Sequence, residues 1–174
     1  HLRDMLATFR GFLTWSQGIV KIYVEKDESV SQSFTMSTVV ADSFQWRKQS
    51  YRARANVLRI EYINADDNFR HDFVEAFDDW DIDTTGERRE RTLRLLGITR
   101  PTQAQRMALF YLDQAIHVAH ACSFRVGIAA LKAEVGDVVA VSHDVPGWSA
   151  KQFRVLQIEE AENDELTLSC LEHV

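Results

Sequence analysis

Along residues 56–63, Leu58, Ile60 and Tyr62 fall on one side while Arg59 and Glu61 fall on the other, the period-two signature of a half-buried strand. The same alternation recurs at residues 71–77, with Val74 and Ala76 opposite Phe73, Glu75 and Phe77, and at 88–96, with Leu93 and Leu95 against Thr92 and Arg94. Gly18 opens a further strand over 19–25, and residues 34–48, rich in Ser, Thr, Val and Phe, read as extended. Residues 2–9 carry Leu2, Met5, Leu6 and Phe9 at helical spacing, ended by Gly11. The period changes once more at Thr99-Arg100-Pro101, a helix-start signal. From there the spacing predicts one long helix over 102–121, with Ala104, Met107, Ala108, Tyr111, Ala115, Val118 and Ala119 on its apolar stripe. The last third is strand after strand, at 124–128, 138–141, 153–158 and 166–171, with a Pro146-Gly147 turn between the second and third. Four short strands at that spacing predict a small barrel or sandwich, with the long helix packed on its sheet. The fold class is α+β and strand-dominated.

Composition narrows this picture without redirecting it. The 174 residues suffice for one core or for two small subdomains, which the pattern places at 1–100 and 101–174. No apolar run approaches the roughly 18 residues of a membrane span. A net charge of −6 argues against a dedicated nucleic-acid binder. Cys122 and Cys170 lie in apolar stretches without metal or redox spacing and read as buried free thiols. The chain opens at His1, inside a helix-like pattern and without an initiator Met, so it reads as a piece of a longer protein. Of the 20 basic residues, only Lys21, Lys26, Lys48, Lys132 and Lys151 are not arginine, a bias that suits defined ion pairs.

Three clusters carry candidate chemistry. His117, His120 and Cys122 stand at the end of the expected helix and have metal-ligand chemistry, yet no fourth ligand is selected by spacing, and the helix dipole alone favours histidines there. Asp79, Asp81, Asp83 and Glu90 fall at calcium-loop positions, but Thr84 occupies the place that requires glycine. Alternation offers the plainer account, with Trp80 and Ile82 buried and the aspartates solvated. Last, an acidic stretch at 66–83 precedes a basic strand at 88–94, and the two have the charges to meet between subunits. No catalytic, cofactor or metal site emerges.

The order of these pieces carries a resemblance. Asn56-Val57-Leu58-Arg59-Ile60-Glu61-Tyr62-Ile63-Asn64 comes first. Gly97-Ile98-Thr99-Arg100-Pro101-Thr102-Gln103-Ala104-Gln105-Arg106-Met107-Ala108 runs into the helix, and Phe124-Arg125-Val126 and then Val135-Gly136-Asp137-Val138-Val139-Ala140-Val141-Ser142-His143-Asp144 follow. In that order, from about Gly18 to the end, the chain resembles the tail-tip attachment (host-specificity) proteins of tailed phages, the lambda J-like family. The resemblance implies a non-enzymatic structural domain of a tail-tip or baseplate hub in the virion, assembled in the bacterial host cytoplasm. It implies other tail-tip and tail-tube proteins as partners and a homotrimer for the full-length protein. It implies no cofactor, no metal and no nucleic-acid specificity. Two other classes compete: a carbohydrate- or peptidoglycan-acting enzyme domain, which needs paired carboxylates such as Glu75 and Asp79, and a host-surface binding module, which predicts an exposed aromatic patch near Trp148.

Overall fold

The computed structural model describes residues 2–16, 18–26, 28–161 and 163–173. In chain order the elements are α1 (Leu2–Ala7), β1 (Gly11–Ser16), β2 (Ile19–Val24), β3 (Gln32–Phe34), β4 (Gln45–Lys48), β5 (Val57–Asn64), β6 (Arg70–Phe77), α2 (Asp79–Thr85), β7 (Glu90–Arg94), α3 (Pro101–His117), β8 (His120–Gly127), β9 (Val138–His143), β10 (Trp148–Glu160) and β11 (Glu165–Glu172). The strand-dominated α+β class is observed. Among the described residues no helix is long and apolar enough to cross a membrane.

The chain forms two compact units, one made of residues 1–13, 22–25 and 49–117, the other of 14–21, 26–48 and 118–174. A cut at residue 100 therefore does not follow the packing: the long helix α3 belongs with the strands before it, while β3 and β4 belong with those after residue 118.

In the first unit β5 is the central strand, antiparallel to β6 and parallel to β7. Its even-numbered residues Leu58, Ile60 and Tyr62 are buried, as alternation requires, and meet α3 through Ala104, Met107, Ala108 and Leu112. The small side chains of Ala104 and Ala108 let helix and sheet approach closely. Tyr62, buried at its ring, satisfies its hydroxyl by donating to Asp72 at 3.0 Å.

Two expectations fail, one at the end of α3 and one over the whole of α2. The helix stops at His117 rather than continuing to 121, and His120 already lies on a strand. Residues 120–127 alternate as well as they spiral, and pairing with β11 decides between the two. The acidic stretch 79–83 is a helix, not a strand, which inverts the expected burial: Asp81 is buried and Trp80 is 73% exposed. Local caps explain it. The Asp78 carboxylate accepts the Asp81 amide at 3.2 Å, and Gly86, at φ +69°, ends the helix by donating to the Ile82 carbonyl.

The second unit is a six-stranded sheet in the order β3-β9-β10-β11-β8-β4, antiparallel except for β3 against β9. The expected barrel over 124–174 is corrected. Those residues supply adjacent strands, but the sheet remains open, and no pairing joins β3 to β4 among the described residues. It nevertheless curls far enough for Phe34 on β3 to meet Phe124 on β8, with ring centroids 5.1 Å apart. Register shifts in β10 between Trp148 and Lys151 and between Val155 and Gln157 supply the bends. Residues 35–44 span the opening, where the Val40 amide donates to the Arg125 carbonyl and the Arg125 amide to Ser43 Oγ. Phe34, Phe124, Phe153, Val139, Val155 and Leu168 fill the interior. The helix predicted to pack on this sheet packs on the three-stranded one instead.

Candidate functional site

The histidine and cysteine cluster is dispersed. His117 is exposed at the end of α3, 3.4 Å from Asp113 one turn earlier. Cys122 points into the curled sheet opposite Cys170, and both thiols are free and buried. Its hydrogen bond to Cys170, together with burial, pushes the Cys122 thiol far up, so it stays protonated. His120 has a different partner, one the sequence does not reveal: Glu172. Glu172 Oε2 accepts from the Ala119 amide at 2.9 Å, from the His120 amide at 2.7 Å and from His120 Nδ1 at 2.7 Å, while Lys151 bonds the other oxygen. Burial opposes the charged carboxylate, but the Lys151, Ala119 and His120 bonds outweigh it and bring its pKa down to about 2. This clasp fastens the start of β8 to the last residue of β11.

The three aspartates part company in the same way. Asp79 and Asp83 are exposed, and Asp81 turns inward. There Asn56 Nδ2 donates to Asp81 at 2.6 Å and to the Glu87 carbonyl at 2.8 Å, Asn56 Oδ1 accepts the Arg89 amide at 2.6 Å, and the Arg89 guanidinium pairs with Asp81. Arg89 Nε also donates to the Arg54 carbonyl at 2.9 Å. Asn56 is 1% exposed, so this is a buried polar knot joining the starts of β5 and β7 to α2. Beside it lies a cavity of about 80 Å³ walled by Tyr51, Arg54, Asp78, Trp80, Arg89 and Ile116. Sequence reasoning missed Tyr51, Arg54 and Asn56; the Asp78 and Gly86 caps were the legible signal that the segment is a helix. No group of His, Cys, Asp and Glu able to hold a metal occurs among the described residues.

The basic strand is engaged within its own chain. Arg88 reaches Glu75 at 3.6 Å, Arg89 holds Asp81, and Arg94 Nε donates to Glu61 at 2.8 Å. Glu75 also lies 4.0 Å from Arg59, so its carboxylate sits between two guanidinium groups on the outer sheet face, while Asp79 is exposed in the first turn of α2. Near Trp148 the aromatic residues do gather: Trp46, Phe44, His120 and Phe153 all contact its ring. Trp148 itself is half-buried among them, and Trp46 is 43% exposed.

The described residues form three sheets, two of them with their own cores, and their buried polar groups fasten strand ends. The chain belongs to the family of putative phage tail proteins, whose model matches residues 1–158. Among curated proteins it is similar to the tip attachment protein J of Escherichia phage SECphi27, 22% identical over 141 residues that make up 81% of this chain and 12% of that protein. Its fold is shared with a chain of the virion of a native gene transfer agent particle, at a TM-score of 0.75 and 17% identity, over 98% of this chain and 38% of that one. A tail protein from Neisseria meningitidis MC58 superposes at a TM-score of 0.65 and 11% identity, over 96% of this chain and 52% of the other. The 43 kDa tail protein of prophage MuSo2 from Shewanella oneidensis gives 0.59 and 15%, over 93% and 50%. The chain thus spans about half or less of each of these relatives.

Proposed function

We propose that this chain is a structural domain of a phage or prophage tail-tip or baseplate hub, contributing to tail assembly and host attachment as a scaffold rather than as a catalyst. The observation that carries the reading is the family match over residues 1–158, supported by the shared fold with a gene transfer agent virion chain. Its partners on this reading are other tail-tip and tail-tube proteins, and the full-length protein is a homotrimer of the virion, put together in the bacterial host cytoplasm.

Sedimentation of the full-length protein tests the hub reading. A trimer is expected, and it should change little between low and high salt, because Arg88, Arg89 and Arg94 are already paired within the chain. A monomer at both salt concentrations and at micromolar protein would overturn the reading, since a hub ring buries a large interface.

A further inference from the structure

Cys122 on β8 stands directly opposite Cys170 on β11, and Trp46 on β4 and Val155 on β10 extend the same row across four neighbouring strands. Opposed residues of an antiparallel pair have Cα atoms about 4.5–5.5 Å apart, inside the window of about 4.4–6.8 Å that a disulfide spans. Their side chains also leave the sheet on the same face, and the two thiols already share a hydrogen bond. Both are free and buried. The chain has no other cysteine, so neither thiol has a competing partner. While the sheet is closed the pair is inert, because hydrogen bonding and burial keep Cys122 protonated and only a thiolate attacks a disulfide. What lies over Cys122 on the outer side is β4, an edge strand of four exposed residues with Trp46 opposite Cys122. A short edge strand of this kind opens locally without global unfolding.

We propose that Cys122 and Cys170 are a disulfide site: local opening of β4 admits a small-molecule disulfide such as oxidised glutathione, and the pair closes into a covalent staple between β8 and β11. The Cys122 thiolate, its proton lost to solvent, attacks one sulfur of the oxidant and expels one glutathione thiolate. Cys170, deprotonated in its turn, attacks the Cys122 sulfur of that mixed disulfide and expels the second. Two protein thiols are thereby oxidised to one disulfide, and one glutathione disulfide is reduced to two thiols. The bond encloses β9 and β10 in its loop and lies beside the Glu172 clasp, which fastens the same two strands without a covalent link. Closing so long a loop removes chain entropy from the unfolded state, so the oxidised chain is the more stable form. Thiols are held reduced in a cytoplasm, whereas disulfides persist at virion surfaces, which places the closure after release from the cell. That the chain passes from one medium to the other rests on the virion reading above; the pairing rests on the β8–β11 register alone.

The test incubates the full chain, first reduced, with oxidised glutathione under native conditions, and follows its intact mass, its peptide map without reduction and its thermal midpoint. The expected product is lighter by two hydrogens, retains no glutathione and yields the Cys122 and Cys170 peptides joined. It should unfold roughly 5–10 °C above the reduced chain, and dithiothreitol should return both mass and midpoint to their starting values. Thiols that stay free throughout, a glutathione adduct that persists, or an internal bond that lowers the midpoint would each overturn the proposal. Sedimentation reads the hub assignment separately: a trimer whose thiols never close defeats only the staple, and a stapled monomer defeats only the hub.

Discussion

In the first unit the inner face of the sheet is covered by a helix that follows it in sequence, Leu58, Ile60 and Tyr62 meeting Ala104, Met107 and Ala108. In the second, the sheet covers itself: Phe34 from one edge folds over onto Phe124, four strands away in the sheet order. The first solution relies on an amphipathic stripe, a local pattern with a local partner. The second relies on curl, which comes from register shifts in β10 and from a segment, residues 35–44, that plugs the opening. Each unit then fastens its strand ends with a carboxylate, the buried Asp81 in one and the partly buried Glu172 in the other. A helix-backed sheet should therefore be vulnerable along one stripe, and both units at their carboxylates.

The largest expected effect is on that stripe. Ala108 is fully buried between α3 and the sheet, so Ala108→Glu should destabilise by on the order of 4–5 kcal/mol, combining overpacking with a buried charge. Leu109→Glu, one residue along and 53% exposed, should cost less than about 0.5 kcal/mol. Urea denaturation of both variants measures the contrast. Equal losses would mean that α3 does not meet the sheet through this face.

How much of this is legible in the sequence follows the same division. The stripe through Ala104, Met107 and Ala108 and the alternation of β5 are readable because each is a periodicity within one element. The open, curled sheet is not. Four strands at even spacing suit a barrel equally well, and here the sheet instead recruits β3 and β4 from far upstream as its two edges. Residues 79–83 mislead because the alternation of Trp80 and Ile82 with aspartates outweighs the Asp78 and Gly86 cap signals. The polar knot is out of reach: Asn56, Asp81 and Arg89 each look like surface residues, and only β5–β7 pairing brings them together. Trp80, which the pattern assigns to the core, is turned to solvent by the helix.

The buried knot yields the second prediction. Asp81→Asn keeps the shape but leaves the Arg89 guanidinium without its carboxylate, and should cost about 3 kcal/mol by urea denaturation. Asp79→Asn and Asp83→Asn, on the exposed side of the same helix, should each stay within about 0.5 kcal/mol. If all three behaved alike, the acidic helix would be a solvated face after all.

The second unit's carboxylate makes its contribution visible through pH. Glu172 titrates near 4.5 when free and near 2 in the folded chain, so the fold binds its ionised form. The stabilisation is fully present above pH 4.5 and is lost as pH falls from there towards 2, because the unfolded chain takes up the proton first. For a largely buried side chain whose acidity changes that much on folding, roughly 2–3 kcal/mol disappears over that window. Glu172→Gln retains one acceptor oxygen for the Ala119 and His120 amides but no charge for Lys151. It should therefore lower stability at pH 7 by about 2 kcal/mol and flatten the difference from the parent below pH 3. The remaining residues are the same in both proteins and cancel in that difference. Stability curves for the pair, measured in urea from pH 7 down to 2.5, decide it: a gap that stays constant across the window would show that Glu172 holds β8 to β11 by shape and not by charge.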